Sequence, residues 1–154
     1  MIEAQTTQLI RASPEQILEF VMDIERYAEI DAKIRPVLWS RRNGNVTEFA
    51  CRSRVGGMPG PKVVQEMRLI PGRRIDIVLT GGPENRLARA MGDFQASFEC
   101  QPVAGGTQVN RVLQFRLKWP TSWILGPRLR RRLPGEVDEE LLLAKHELEK
   151  PAAE

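Results

Sequence analysis

Residues 10–30 read IRASPEQILEFVMDIERYAEI, and the change of rhythm inside this stretch decides the fold. The segment before it, residues 2–11, has the partly apolar character of a strand. Ser13-Pro14-Glu15-Gln16 then carries a complete helix start: a serine to cap, a proline suited to the first helical position, and a glutamine to close a capping box. Ile17, Phe20, Val21 and Ile24 follow at helical spacing. A second short helical turn is predicted over 24–30, with Asp23 as its cap.

Downstream the period changes to two. Residues 34–42 read as a strand ending at the hairpin turn Asn43-Gly44-Asn45. Thr47, Phe49, Cys51, Ser53 and Val55 put small or apolar groups on one face, with Glu48, Arg52 and Arg54 on the other. Residues 56–61 read as a loop. Val63, Gln65, Met67 and Leu69 form the next strand, and Pro71-Gly72 turns the chain into Ile75, Ile77 and Leu79. A longer connection with room for a helical turn spans 81–92. Phe94, Ala96, Phe98 and Cys100 follow, then a Gly105-Gly106 turn and a last strand from Val109 to Trp119. Seven strands, six of them consecutive and joined by short turns, make an antiparallel meander with one buried face. The remaining residues return to helical spacing, and Val137, Leu141, Ala144 and Leu148 form a stripe that should pack on the sheet.

The chain has 154 residues, enough for one domain with a real core, and its 23 basic residues nearly balance 20 acidic ones. No apolar run approaches the roughly 20 residues of a membrane span. The first residues lack the basic-then-apolar order of a signal peptide, so a cytoplasmic setting with reduced thiols is expected. Two cysteines and one histidine do not make the common zinc patterns, and no metal or other cofactor is called for. One domain is expected over residues 1–150, with 151–154 as a frayed tail.

Strand, two short helices, meander and long final helix resembles the helix-grip fold of the START-like (SRPBCC) superfamily, which includes polyketide cyclase/dehydrase-like proteins. Residues 10–30 look like the opening of that family, and GDFQASFECQPVAGGTQV, residues 92–109, resembles its late hairpin. DIERYAEI, residues 23–30, is closest to the coenzyme-Q-binding-like branch. The resemblance runs from residue 2 to about 149. It implies an α+β fold: a seven-stranded curved antiparallel sheet wrapped around a long C-terminal helix, two short helices between strands 1 and 2, and an apolar cavity inside. Family members bind lipids, polyketides or quinones there, and a minority catalyse reactions.

The inward parity supplies a candidate wall of Phe49, Met67, Ile77, Phe98, Leu113 and Phe115, along with Val63, Leu69, Ile75, Leu79, Phe94 and Leu117. These side chains either fill a core or face an open pocket. Polar residues at apolar parity are more informative, because burying such a group unpaired costs a few kcal/mol. Arg111, Gln65 and Ser53 are of this kind, satisfied either internally or by the oxygen of a ligand, and Arg111 is the first candidate anchor. Catalytic residues are not assigned. His146 falls nearly opposite the packing stripe, Cys51 and Cys100 belong to strands three steps apart and beyond disulfide reach, and Tyr27 reads as a packing residue or a hydrogen-bond donor.

Trp123, Arg128, Arg130, Arg131 and Arg132 stand close together near the start of the final helix. The arginines are either a solvated face, a phosphate grip at the cavity mouth, or a contact for an anionic membrane with Trp119, Trp123, Ile124 and Leu125 as its apolar edge. Nucleic acid is disfavoured, since no groove-reading motif or stacking platform accompanies them. Pro134-Gly135 predicts a kink or break, with a basic helix to Leu133 and a packing helix from Glu136. Glu136, Asp138, Glu139 and Glu140 would then sit in a favourable first turn, and the basic segment could swing as a gate. Three functions stay open: carriage of an apolar small molecule, a cyclase, dehydratase or aromatase reaction in the same cavity, or protein interaction through a filled groove.

Overall fold

Ser13 turns the chain out of the sheet. Its hydroxyl accepts the Gln16 backbone N–H at 3.1 Å, and the Gln16 side-chain oxygen accepts the Ser13 N–H at 2.9 Å, closing the expected capping box. In a computed structural model that describes residues 1–150, this cap separates β1 (Ile2–Ile10) from α1 (Pro14–Met22). The expected fraying at 151–154 lies outside the described residues. After α1 come α2 (Ile24–Tyr27) and a 3-10 turn (Ala32–Ile34). Asp23 does not cap α2 with its side chain; Asp31 instead caps the 3-10 turn, accepting the Lys33 N–H at 3.0 Å.

The meander consists of β2 (Val37–Asn43), β3 (Val46–Val55), β4 (Met58–Ile70), β5 (Arg74–Leu79), β6 (Gly92–Val103) and β7 (Gly106–Leu117). All pairs are antiparallel, in the order β1-β7-β6-β5-β4-β3-β2, so the first strand closes against the last. Strand β2 starts three residues later than expected, because the 3-10 turn occupies 32–34. The loop expected at 56–61 shrinks to Gly56-Gly57, both at positive φ (64° and 74°), and the β3–β4 hairpin continues to its tip. Its ladder shifts register between Arg52 and Arg54, where the Ser53 hydroxyl bonds the Pro61 carbonyl at 2.8 Å. That bulge bends the tip over the open face of the sheet.

Between β5 and β6 lie a 3-10 turn (Pro83–Asn85) and α3 (Arg86–Met91). Fully buried Asn85 holds them in place: its side chain accepts from Val64 N at 2.8 Å and donates to Val64 O at 2.7 Å, acting as a strand partner beyond the end of β5.

The last element, α4 (Thr121–Leu148), is a single helix, and the break predicted at Pro134-Gly135 does not occur. Pro127 and Pro134 are both exposed and seven residues apart, so each loses its backbone bond on the wet face, where water can replace it. Buried residues on both sides of Pro134, including Leu129, Leu133, Val137 and Leu141, fix the helix to the sheet. Packing outweighs local propensity here. The gate that such a break would have allowed is not built.

Inside the grip the sheet is used in two halves. Toward one end Phe49, Met67, Ile75, Phe98, Leu133 and Leu141 pack into a closed core. Toward the other, Val63, Leu79, Phe94, Leu113 and Leu117 surround open space below Leu125 and Leu129 of α4.

Candidate functional site

The open half is a cavity of about 170 Å³ between the sheet and the first turns of α4. Its lining includes Ala88 and Met91 of α3, Pro59 and Gly60 at the β3–β4 hairpin tip, and Leu125 and Arg128 at the start of α4, all exposed or half-exposed, and this solvent-reaching side is taken as its mouth. The volume is close to that of apolar cavities that take one benzene, roughly 150 Å³. One ring or a short acyl segment therefore fills the interior, and a longer molecule must extend through the mouth.

Of the residues expected at this wall, Arg111, Gln65, Ser53, Leu113 and Phe115 border the cavity. Phe49, Met67, Ile77 and Phe98 do not; they share the inward parity but are buried among other core side chains. Gln65 is buried on the lining, and Ser53 spends its hydroxyl on the hairpin bulge.

Arg111 is 4% exposed and stands where cavity meets core. Its Nε donates to Glu140 Oε2 at 3.0 Å, and its guanidinium carbon lies 4.0 Å from the centroid of the Phe98 ring. Glu140 gathers three donors. The Tyr27 hydroxyl donates to Oε2, and Lys33 Nζ donates to Oε1 at 2.6 Å. Lys33 is also 2.9 Å from Asp31 Oδ1. Two cations and two anions thus sit together, none more than 8% exposed, with Asp31, Lys33 and Arg111 on the cavity wall. Among the described residues, Arg111 Nη1 is the buried side-chain polar atom without a hydrogen-bond partner.

Burial alone would raise the Glu140 carboxyl, but Arg111 and Lys33 outweigh it and hold the group at about 2. Asp31 moves up, because burial and the neighbouring Glu140 outweigh the pull of Lys33. Burial drives the Tyr27 hydroxyl well above its ordinary range, so it stays a donor to Glu140. These shifts fix a sign. Glu140 contributes stability that is fully present above its ordinary 4.5 and is lost as pH falls toward about 2. Asp31 works oppositely, favouring the fold below its ordinary value and losing that contribution as pH rises. Denaturant unfolding at stepped pH is expected to show stability dropping by up to about 3 kcal/mol through the Glu140 window. A Glu140→Gln chain should show a shallower acid dependence; an equal slope would contradict this assignment.

Glu140, Lys33 and Asp31 were not singled out by sequence reasoning. Cys51 and Cys100 are buried free thiols three strands apart, pushed up to about 12 by burial, and His146 stands off the packing stripe. The arginine run divides. Arg128 Nε and Arg132 Nη1 bond the Gly56 carbonyl at 2.7 and 3.2 Å, and Glu136 accepts the Gly56 N–H at 3.2 Å, so the hairpin tip is tied to α4. Arg130, Arg131 and Trp123 face outward and are exposed.

The fold recurs in solved structures. The Thermus thermophilus protein TTHA0849 superposes with a TM-score of 0.75 at 16% identity, over 95% of this chain and 96% of that one. The Zhui aromatase/cyclase from Streptomyces sp. R1128 gives 0.72 at 12% identity, over 99% and 98%. The di-domain aromatase/cyclase StfQ of the steffimycin pathway gives 0.73 at 15% identity, over 94% of this chain and 49% of that one. No curated protein matches the chain by sequence. A family model described as "Polyketide cyclase / dehydrase and lipid transport" matches residues 1–149. With the helix-grip architecture and its internal cavity in place, the chain belongs to that polyketide cyclase/dehydrase and lipid transport family.

Proposed function

We propose that the protein binds and carries an apolar small molecule whose buried end bears an uncharged oxygen, a carbonyl or hydroxyl such as those of quinones and polyketides. The observation that carries this reading is Arg111 Nη1, a buried donor without a partner at the edge of an otherwise greasy space. A buried donor left unmade costs about 1–3 kcal/mol, and a ligand oxygen would recover it. The charges of the cluster already balance, so a carboxylate would add an uncompensated buried anion. A neutral acceptor fits better.

A second reading, catalysis in the same cavity, draws on Asp31. This carboxyl lies on the cavity wall and is held above its ordinary range, so it could exchange a proton with a bound polyketone. Turnover of candidate polyketides by the purified protein, lost in Asp31→Asn, would favour that reading.

Carriage is tested by native mass spectrometry, with solvent extraction, on protein purified from its own cells, and by titration with the neutral probe N-phenyl-1-naphthylamine. Leu79, half-buried on the lining, can be replaced by tryptophan to occupy the space. Leu79→Trp is expected to keep the melting temperature within a few degrees and to weaken probe binding at least tenfold. An absent adduct together with unchanged probe affinity in Leu79→Trp would refute carriage and favour a filled groove.

A further inference from the structure

We propose that the rim of the cavity mouth is a docking surface for an anionic lipid bilayer. Four large apolar side chains stand out from the protein there: Leu87 on α3, Trp119 in the link after β7, and Trp123 and Ile124 in the first turns of α4. They are 65%, 82%, 78% and 65% exposed. The three segments are neighbours, because the Lys118 N–H bonds the Met91 carbonyl at 2.9 Å and so joins the end of α3 to the chain entering α4. Ala88 and Met91 of α3, Leu117 and Leu125 line the cavity directly beneath. Exposed apolar groups clustered around an opening mark a contact surface rather than the scattered apolar residues of any protein exterior.

Charge identifies the partner. Residues 121–135 of α4 hold four arginines and no acid, whereas Glu136, Asp138, Glu139 and Glu140 follow at once. Arg128 and Arg132 are committed to Gly56, which leaves Arg130 and Arg131 as the cations of the run without a hydrogen-bond or ion-pair partner among the described residues. Arg131 is seven residues after Ile124 and four after exposed Pro127, on the same outward face. Tryptophan rings beside arginines that can stretch their heads to phosphates are what a headgroup boundary accepts. A free polyanion offers nothing to bury two tryptophans, an isoleucine and a leucine. Docked this way, the protein would place the mouth of its cavity on the acyl region, so that an apolar molecule could cross without meeting water.

Vesicle docking is measured on the protein as purified and stands or falls separately from probe binding in solution. The test is flotation with vesicles of phosphatidylcholine alone or mixed with phosphatidylglycerol, together with tryptophan emission. The wild-type chain is expected to float with the mixed vesicles only, its emission moving to shorter wavelength. Trp119→Ser/Trp123→Ser should lose both signals while keeping its circular dichroism, since both rings are exposed. Arg130→Gln/Arg131→Gln should bind roughly tenfold to thirtyfold more weakly. Equal flotation of the double-tryptophan variant would overturn the proposal, as would failure of the wild type to float. So would retention on an RNA homopolymer that survives loss of both tryptophans, which would make the arginines a polyanion grip.

Discussion

A Glu140→Ala protein is expected to lose roughly 3–5 kcal/mol of unfolding free energy, the cost of stranding buried charges by removing one partner. Glu140 is 2% exposed and is the shared acceptor of Arg111, Lys33 and Tyr27. Without it Lys33 keeps Asp31, but Arg111 keeps no carboxylate partner among the described residues. Glu140→Gln retains the volume and one acceptor oxygen and should fall between the two. A Glu140→Met/Arg111→Met/Lys33→Met chain that also carries Asp31→Asn and Tyr27→Phe, so that neither Asp31 nor the Tyr27 hydroxyl is left buried without its partner, is expected to recover most of the loss, because well-packed apolar groups can replace a buried ion cluster at little cost. Urea unfolding of the set checks this. A loss below about 0.5 kcal/mol in Glu140→Ala, the size expected of surface changes, would show that water already reaches the cluster.

The second large effect belongs to Phe98. Its ring lies under the Arg111 guanidinium and meets Tyr27 edge-on, with centroids 5.6 Å apart at 89°. Phe98→Ala should cost about 3–5 kcal/mol through the cavity left behind. The more informative change is Phe98→Leu, which keeps most of the volume and removes the π face. In a double-mutant cycle with Arg111→Met, a coupling of about 1–2 kcal/mol is expected for a desolvated cation over a ring. A coupling near zero would reduce Phe98 to a space-filler and leave the orientation of Arg111 to Glu140 alone.

The architecture was legible because its signals are local. Ser13 and Gln16 close their box within four residues, and the period-two parity of β3 to β7 names the inward face without any tertiary information. The site was legible only in part, and one misreading explains much of the gap. Glu140 was read as one of four acids favoured by the first turn of a helix starting at Glu136, and its place on that helix's packing stripe was passed over. In the continuous helix it lies three residues after Val137 and four before Ala144, on the same stripe that was read as apolar. Lys33 and Asp31 had no such signal. Lys33 meets Glu140 across a sequence separation of 107 residues, and nothing near either residue announces burial. Parity also says which face a strand buries, but not which of its inward side chains are covered by others and which face open space. Phe49, Met67, Ile77 and Phe98 were therefore grouped with Leu113 and Phe115, though of these six only Leu113 and Phe115 border the cavity.

The closure of β1 against β7 bears on how the chain is made. Ile2 pairs with Phe115 and Ile10 with Thr107, so the strand synthesised first has no partner until the ribosome has delivered nearly all of the sheet. Contacts this distant in the chain pay their loop-closure entropy before they return any binding, which favours late, concerted assembly over growth from the N-terminus. Arg111, carried on that final strand, and Glu140, on the helix after it, come together at the end of the process. A nascent chain halted before residue 106 holds the greasy strands of the meander but nowhere to put a ligand.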